Sequence, residues 1–217
     1  MIIHSIPLWV AQTNCWIMAD EDTRLAVVID APPDPEPIGR FLGAHDLAAT
    51  AILLTHGHID HTGGAGSLAR MTGAGAYVHP DDDFLTLHPE AQIQMMFGLT
   101  PPGEYGVPER LDRLVDGKTL EFGSITLEVL HTPGHTPGHC CLYSETEGAL
   151  FSGDQLFAGS VGRTDLPGGS WQQLIASMRE RVMVLDDGVR VLPGHGPETT
   201  IGRERRTNPF RMEWAEG

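Results

Sequence analysis

The sequence predicts an α/β fold built from alternating strand and helix units. Three observations carry that prediction. Short apolar runs recur along the chain and are ended by glycine, proline or polar clusters. Amphipathic segments long enough for helices separate several of those runs. Histidines and aspartates follow the strand-like runs directly, at Thr55 to His61, His135, Asp154 and His195. Loops that follow adjacent strands meet at one sheet edge, so these side chains can converge from distant parts of the chain.

Strands are expected at Ile2 to Ile6, Cys15 to Met18 and Leu25 to Ile29. A helix follows from Pro35, which suits a first turn, to about Gly43. The run Ala51-Ile52-Leu53-Leu54 is a buried strand, and a helix from Thr62 to Met71 comes next even though Gly63, Gly64 and Gly66 lower its propensity. Small residues there suit a close backbone approach to a metal or close packing. Strands recur at Ala76 to Val78, Arg113 to Val115, Ile125 to Leu130, Cys140 to Tyr143, Ala149 to Phe151 and Val189 to Leu192. The segment Phe84 to Val107, with Met95-Met96-Phe97 and Pro101-Pro102, reads as core packing of an irregular insertion; a Met-rich lid and a dimer contact are the alternatives. Trp171 to Val182 reads as an amphipathic helix with Ser170 as its N-cap.

Composition agrees with a compact globular chain. The 217 residues, 41% of them hydrophobic, are enough to bury a substantial core, and residues 1–217 show no boundary, repeat or low-complexity segment. A net charge of −15 argues against nucleic acid as a partner. The N-terminus lacks a basic stretch followed by a long apolar core, and no run approaches the ~20 residues that span a membrane, so the expectation is a cytoplasmic protein with no membrane partner. Cys15, Cys140 and Cys141 form no Cys-x-x-Cys motif and are expected to be buried and inert, the adjacent pair facing opposite sides of a strand. No residue pattern specifies an oligomeric state.

The segment Thr55-His56-Gly57-His58-Ile59-Asp60-His61 concentrates imidazoles and a carboxylate at the end of a buried strand, where a metal ion would neutralise the charge and accept the lone pairs. Downstream, three histidines compete for a further ligand position in Leu130-His131-Thr132-Pro133-Gly134-His135-Thr136-Pro137-Gly138-His139. His131 sits at a strand end and His139 opens the next apolar run. His135 is at the loop apex and is the predicted ligand. Asp154 in Ser152-Gly153-Asp154 and His195 in Pro193-Gly194-His195-Gly196 complete a set of seven: His56, His58, Asp60, His61, His135, Asp154 and His195. Seven donors exceed one tetrahedral ion, whereas two ions sharing a carboxylate, about 3.5–4 Å apart and with an open position for water, use them all.

This pattern, H-x-H-x-D-H followed by a loop histidine, a Gly-Asp and a Gly-His-Gly, resembles the metallo-β-lactamase superfamily over most of the chain. The resemblance implies a four-layer αββα sandwich, two mixed β-sheets flanked by helices, with the metals at one edge. It also implies that His56, His58 and His135 hold one metal, that Asp60, His61 and His195 hold the other, and that Asp154 bridges them. A finer resemblance lies in Phe157-Ala158-Gly159-Ser160-Val161-Gly162-Arg163-Thr164-Asp165-Leu166-Pro167-Gly168-Gly169-Ser170 and Arg205-Arg206-Thr207-Asn208-Pro209-Phe210. These are similar to the short bacterial glyoxalase II-type hydrolases, which cleave thioesters of 2-hydroxy acids.

The expected activity is therefore hydrolysis of a small-molecule thioester by two divalent cations, zinc first with iron or manganese as alternatives. Such ions would lower the pKa of a shared water so that hydroxide is available near neutral pH. Asp60 and Asp154 would stay ionised and orient that water. Arg163 is the candidate for gripping an anionic substrate, because a guanidinium binds a carboxylate through two parallel hydrogen bonds. His139 and Asp165 are candidates for supporting the ligands from behind. The longer glyoxalase II enzymes carry a lysine and a tyrosine where this chain has Arg163 and Asp165, and the sequence ends soon after Phe210 without their longer helical domain. Both departures argue against glutathione as the thiol carrier. The Gly-Arg-Thr-Asp stretch also resembles the persulfide dioxygenases, for which His56, His135 and Asp154 alone would hold a single iron. A lactonase, a β-lactamase and a metal-stabilised binding module are the remaining alternatives.

Overall fold

The computed structural model describes residues 1–215, and the side chains of Met96 and Phe97 lie outside the described residues. Six strands form the first sheet in chain order: β1 (Ile2–Leu8), β2 (Thr13–Ala19), β3 (Leu25–Ile29), β4 (Ala48–Leu53), β5 (Gly75–Val78) and β6 (Leu111–Arg113). Pairing is antiparallel from β1 to β3 and parallel from β3 to β6. Parallel neighbours need crossovers. Helix α1 (Glu36–Ala44) supplies the first, and the single turn α2 (Ile59–Thr62) with α3 (Ala65–Thr72) supplies the second.

After α4 (Asp83–Thr86) and α5 (Pro89–Phe97), the chain builds a second sheet from β7 (Thr119–Phe122), β8 (Ile125–His131), β9 (Cys140–Ser144) and β10 (Ala149–Gly153). A hairpin of β11 (Leu156–Phe157) and β12 (Ser160–Val161) and then helix α6 (Trp171–Ser177) lead back to β13 (Arg190–Pro193) and β14 (Thr199–Thr200). The spatial order is β14-β13-β10-β9-β8-β7, with β10 and β13 parallel. Helices α7 (Ile201–Thr207) and α8 (Arg211–Ala215) complete the described chain.

The burial pattern sorts these elements into four layers. Between the sheets lie Trp16, Met18, Val27, Ile29 and Leu53 from the first and Ile125, Leu127, Val129, Leu142 and Phe151 from the second. Phe151 meets Trp16 edge-on at 6.2 Å between ring centroids, and truncating such a fully buried ring costs about 3–5 kcal/mol. On the outer face of the first sheet, Ile17, Val28 and Ile52 pack against Ile38 and Leu42 of α1 and Leu68 of α3. Beyond the second sheet, Leu150 and Val191 pack against Leu174 and Ile175 of α6, Ile201 of α7 and Trp214 of α8. This is the αββα sandwich that the family resemblance implied. Strands β2 and β10 are buried along their whole length because both of their faces are covered.

Several boundaries differ from expectation, each for a local reason. The helix expected over Thr62 to Met71 is broken into α2 and α3 at Gly63-Gly64. A Cβ on Gly63 would lie 2.6 Å from Pro33 Cγ, one on Gly64 would strike the Pro32 carbonyl, and one on Gly66 would lie 2.6 Å from the Gly106 carbonyl. The glycines thus serve close packing against neighbouring loops. Strand β6 ends at Arg113 where Arg113 to Val115 was expected, because Ala76 and Val78 pair with Leu111 and Arg113. Ser170 caps α6 as expected, accepting from the Gln173 amide, but a π-helical turn at Met178–Val182 replaces the last α-helical turn. Within Phe84 to Val107, Gln92 and Ile93 are buried while Phe84, Met95 and Leu99 are exposed; the Met96 and Phe97 part of that expectation lies outside the described side chains. All three cysteines are buried, with Cys140 in the core between the sheets and Cys141 on the opposite face. Burial pushes the thiol of Cys15 well above its ordinary range and that of Cys141 up to about 12, which fits inert thiols. No helix among the described residues is long and apolar enough to cross a membrane.

Candidate metal centre

The parallel strands β3, β4, β10 and β13 end at one edge of the sandwich, and each is followed by a polar side chain aimed at the same place. Asp30 follows β3, Thr55 to His61 follow β4, Asp154 follows β10 and His195 follows β13. The two sheets are tied together there by Asn14, whose amide donates to the Gly194 carbonyl at 2.7 Å, and by a bridge between Thr13 and His195. The Trp16 indole adds a 3.0 Å bond to the Pro193 carbonyl.

Imidazole nitrogens crowd at this edge. Nε2 of His56 lies 3.1 Å from Nδ1 of His58, which in turn lies 2.9 Å from Nε2 of His135. Their outer nitrogens have other partners. Nδ1 of His135 donates to the Arg163 carbonyl at 2.7 Å. The Thr55 hydroxyl gives its proton to the Asp30 carboxylate and accepts from Nδ1 of His56 at 3.1 Å. Those tautomers leave lone pairs on the inward nitrogens of His56 and His135, and both of these nitrogens face Nδ1 of His58. Burial, reinforced by the neighbouring imidazoles, pushes His56 well below the usual histidine range and His58 down to about 3, so both are neutral at physiological pH.

A second group lies beside the first. Nε2 of His195 is 3.2 Å from Asp60 Oδ2, and Nε2 of His61 is 3.4 Å from His195 Nε2 and 3.6 Å from Asp60 Oδ2. Burial opposes charge on His61, but the carboxylates of Asp60, Asp154 and Asp30 outweigh it and raise its pKa well above the usual value. His195 is raised for the same reason, burial being outweighed by Asp60 and Asp154. Burial also opposes ionisation of Asp60, but His61 and His195 bring it down to about 2. Asp154 sits between the groups, 3.5 Å from His135, 3.4 Å from His61 and 3.6 Å from His195, and is held ionised in the same way. Its Oδ1 is buried with no hydrogen-bond partner among the described residues. Imidazole lone pairs and ionised carboxylates buried around one point are costly unless positive charge sits among them. The donor set therefore fits divalent metal: His56, His58 and His135 cluster within reach of one ion, and Asp60, His61 and His195 within reach of another.

The structure brings all seven predicted ligand candidates to this edge. His131, the competitor of His135, points elsewhere and stacks on His79 at 4.1 Å between ring centroids. His139 supports the site from behind: it accepts from the Asp154 amide at 3.1 Å and its other nitrogen meets the Thr132 hydroxyl at 2.9 Å. Gly153 makes this possible, because at φ 48° a Cβ would lie 2.7 Å from both His139 and Thr55. Asp165 does not support the ligands, and instead holds the Arg163 guanidinium by two 2.7 Å bonds.

Sequence reasoning missed the groups that hold the ligands in place. Asp30 accepts from His61 Nδ1 at 2.8 Å and from the Thr55 amide at 2.8 Å. Thr13 donates to Asp60 at 3.1 Å. Asp82, fully buried, accepts from the Gly57 amide, the Thr136 hydroxyl and the Gly138 amide, all at 2.7 Å, and so joins the loop of His56 and His58 to that of His135. Gln92 of α5 bonds the backbone of Gly57 and Ile59. Only Asp30 left a readable signal, a carboxylate directly after the apolar strand β3.

The site opens into a cavity of about 390 Å³ that is also lined by Phe157, Val161, Arg163 and Leu166. A larger groove of about 730 Å³ runs along Trp9, Pro33 and Glu36 but receives none of the converging imidazoles.

The family model of the metallo-beta-lactamase superfamily matches residues 8–195. The chain belongs to that superfamily. Among superfamily relatives, the hydroxyacylglutathione hydrolase GloC of Haemophilus influenzae is 36% identical over 97% of this chain and 98% of its own length. TTHA1623, solved in a di-iron-bound form, has a TM-score of 0.85 and 38% identity over 95% of this chain and 99% of its own. The B3 metallo-beta-lactamase BLEG-1 has a TM-score of 0.85 and 36% identity over 97% and 99%, and ETHE1 from Myxococcus xanthus has 0.79 and 27% over 99% and 88%. Superfamily membership and the hydrolase relatives support a metal-dependent hydrolase acting on a small molecule.

Proposed function

We infer that the protein is a dinuclear hydrolase that cleaves a thioester of a 2-hydroxy acid. The observation that carries this is the placement of Asp154 between two complete donor groups, 3.5 Å from His135 of one and 3.4 Å from His61 of the other. His56, His58 and His135 would hold one divalent ion, Asp60, His61 and His195 the second, and Asp154 would serve both. When bound, such a pair supplies Lewis acidity and makes water nucleophilic near neutral pH. The rest follows from the chain. Asp60 and Asp154 stay ionised and can each turn an oxygen toward the attacking water. Asp30, Thr55 and the Arg163 carbonyl fix the imidazole tautomers. Phe157, Val161 and Leu166 form an apolar wall beside the reacting carbonyl. Water oxygen adds to the carbonyl carbon, the carbon–sulfur bond breaks, and a 2-hydroxy acid and a thiol leave. Zinc is the metal we assign, with iron or manganese as alternatives. The shared core between the sheets supports reading residues 1–217 as one domain.

Likeness to the hydroxyacylglutathione hydrolase supports the thioester reading. The Gly-Arg-Thr-Asp stretch supports a second one, a single-iron persulfide dioxygenase using His56, His135 and Asp154. Elemental analysis of the purified protein, with assays of thioester hydrolysis, persulfide-dependent oxygen uptake and β-lactam hydrolysis on the same preparation, separates them. Two metals per chain with thioester hydrolysis is the expected result. One iron with oxygen uptake and no hydrolysis overturns it, as does turnover of β-lactams alone. Asp60→Ala should abolish hydrolysis, while a single iron held by the other three ligands would survive it.

A further inference from the structure

The geometry points to Asp165 as the residue that sets the charge preference of the substrate pocket: by pairing with the Arg163 guanidinium it offsets that side chain's positive charge, so the site favours thioesters of uncharged thiols over anionic ones. This rests on the thioester reading and names the class of its thiol half.

Arg163 is the one arginine or lysine among the described residues that line the cavity, which it shares with the apolar Phe157, Val161 and Leu166 and with the predicted metal ligands. Its guanidinium already holds a carboxylate. Nε and Nη2 each donate to one oxygen of Asp165 at 2.7 Å, the fork geometry in which a carboxylate satisfies an arginine best. The pair is tethered on one short, fixed loop. The Arg163 carbonyl accepts from His135, a Cβ on Gly162 would strike the Asp154 carbonyl, and one on Gly168 would lie 2.8 Å from Pro137. An anionic carrier must therefore compete with a carboxylate held two residues away, at high effective concentration. It must also approach a chain whose net charge is −15. A neutral carrier meets neither penalty and gains the apolar wall.

Both side chains of the pair are exposed, 59% and 68%, so their mutual attraction is that of a surface ion pair. Removing the carboxylate should accordingly change anion affinity by up to about fivefold. The test uses the full chain loaded with zinc and two non-hydrolysable probes, S-methylglutathione as the anion and S-methyl-N-acetylcysteamine as the neutral thioether. Calorimetric affinities are measured for wild type, Asp165→Asn, Arg163→Ala and the double variant. The expected result is that wild type prefers the neutral probe, and that Asp165→Asn raises the ratio of anionic to neutral affinity by up to about fivefold at low salt and less at high salt. In the Arg163→Ala background the same change should leave the ratio where it was. A loop defect would weaken both probes together and leave the ratio unmoved, and that overturns the inference. So does a ratio shift that persists without Arg163, or failure of both probes to bind. Hydrolysis of the lactoyl thioesters of the same two thiols is assayed separately. A ratio shift without hydrolysis retires the thioesterase reading and leaves the charge selection standing, whereas hydrolysis without a ratio shift does the reverse.

Discussion

Asp30 accepts the Nδ1 proton of His61 across 2.8 Å, with both side chains buried. The same carboxylate takes the Thr55 amide and hydroxyl, and Thr55 in turn receives His56. One aspartate thus orients an imidazole in each donor group. Asp30 sits at φ 62°, a left-handed conformation that aspartate tolerates better than most side chains. Asp30→Asn keeps the size but removes the charge facing His61. We expect about 10–100-fold weaker metal binding, the scale seen when such supporting carboxylates are changed, with the larger loss at the ion held by Asp60, His61 and His195. Competition with a chelating indicator, read as two dissociation constants, checks both the size and the asymmetry.

The two donor groups should differ in the protons they release. His61 and His195 have raised pKa values because carboxylates face them, so His61 carries a proton at neutral pH in the metal-free protein. A ligand nitrogen must give up its proton before it can bind. His56 and His58 are held neutral by burial and by each other and have none to lose. Zinc titrations at pH 7 in buffers of different ionisation enthalpy should therefore show one binding event that depends on the buffer and one that does not. His61→Ala should remove the buffer-dependent event. Equal dependence for both ions would contradict the assignment of protonation states.

Asp82 joins two loops through three 2.7 Å bonds while fully buried. Burial pushes its pKa up, against the pull of those three donors. Asp82→Ala strands the donors without acceptors, and each buried unsatisfied group costs about 1–3 kcal/mol. A total of about 3 kcal/mol or more should lower the melting temperature by about 6–12 °C in a domain of this size. Because the linked loops carry His58 and His135, metal stoichiometry should fall in the same variant. A melting point within a degree or two of wild type would show that water replaces the carboxylate and that the clamp is dispensable.

Which residues were legible follows from how they are placed. The seven ligand candidates stood out because each combines a metal-binding side chain with a position directly after an apolar run, and the strand ends do converge. Asp30 has the same position, but a lone acid after a strand reads as an ordinary turn residue. Asp82 was hidden inside Asp81-Asp82-Asp83, which reads as a solvated acidic run; only the fold reveals that the middle residue is fully buried while Asp81 is exposed. The sandwich was legible as alternating strands and helices, and its layering came through resemblance. Strand β7 was missed because Thr119–Phe122 is a short edge strand with one buried residue. Helix α5 was missed because its buried inward residues, Gln92 and Ile93, include a polar one whose amide is spent on the backbone of other segments. The pairing of Arg163 with Asp165 needed coordinates, since spacing alone does not say whether neighbouring opposite charges touch.

The stack of His79 on His131 joins the two sheets at the edge of the fold and should leave a signature in stability against pH. The rings lie nearly parallel, 7° apart, so protonating either places positive charge against the other. Burial, followed by the His131 imidazole and Arg113, lowers the His79 pKa below 6.5, and Asp81 and Asp116 offset this only in part. The sign follows from linkage. The unfolded chain takes up this proton at a higher pH than the folded one, so His79 favours folding above pH 6.5, and that contribution is lost as pH falls from 6.5 toward the lower folded value. His79→Gln removes the titrating group. The melting temperature of the variant should therefore fall less than that of wild type between pH 7.5 and 5.5, when both are measured with metal bound so that the buried cluster does not titrate. Parallel melting curves for the two proteins across that range would mean that the facing carboxylates compensate for the second imidazole.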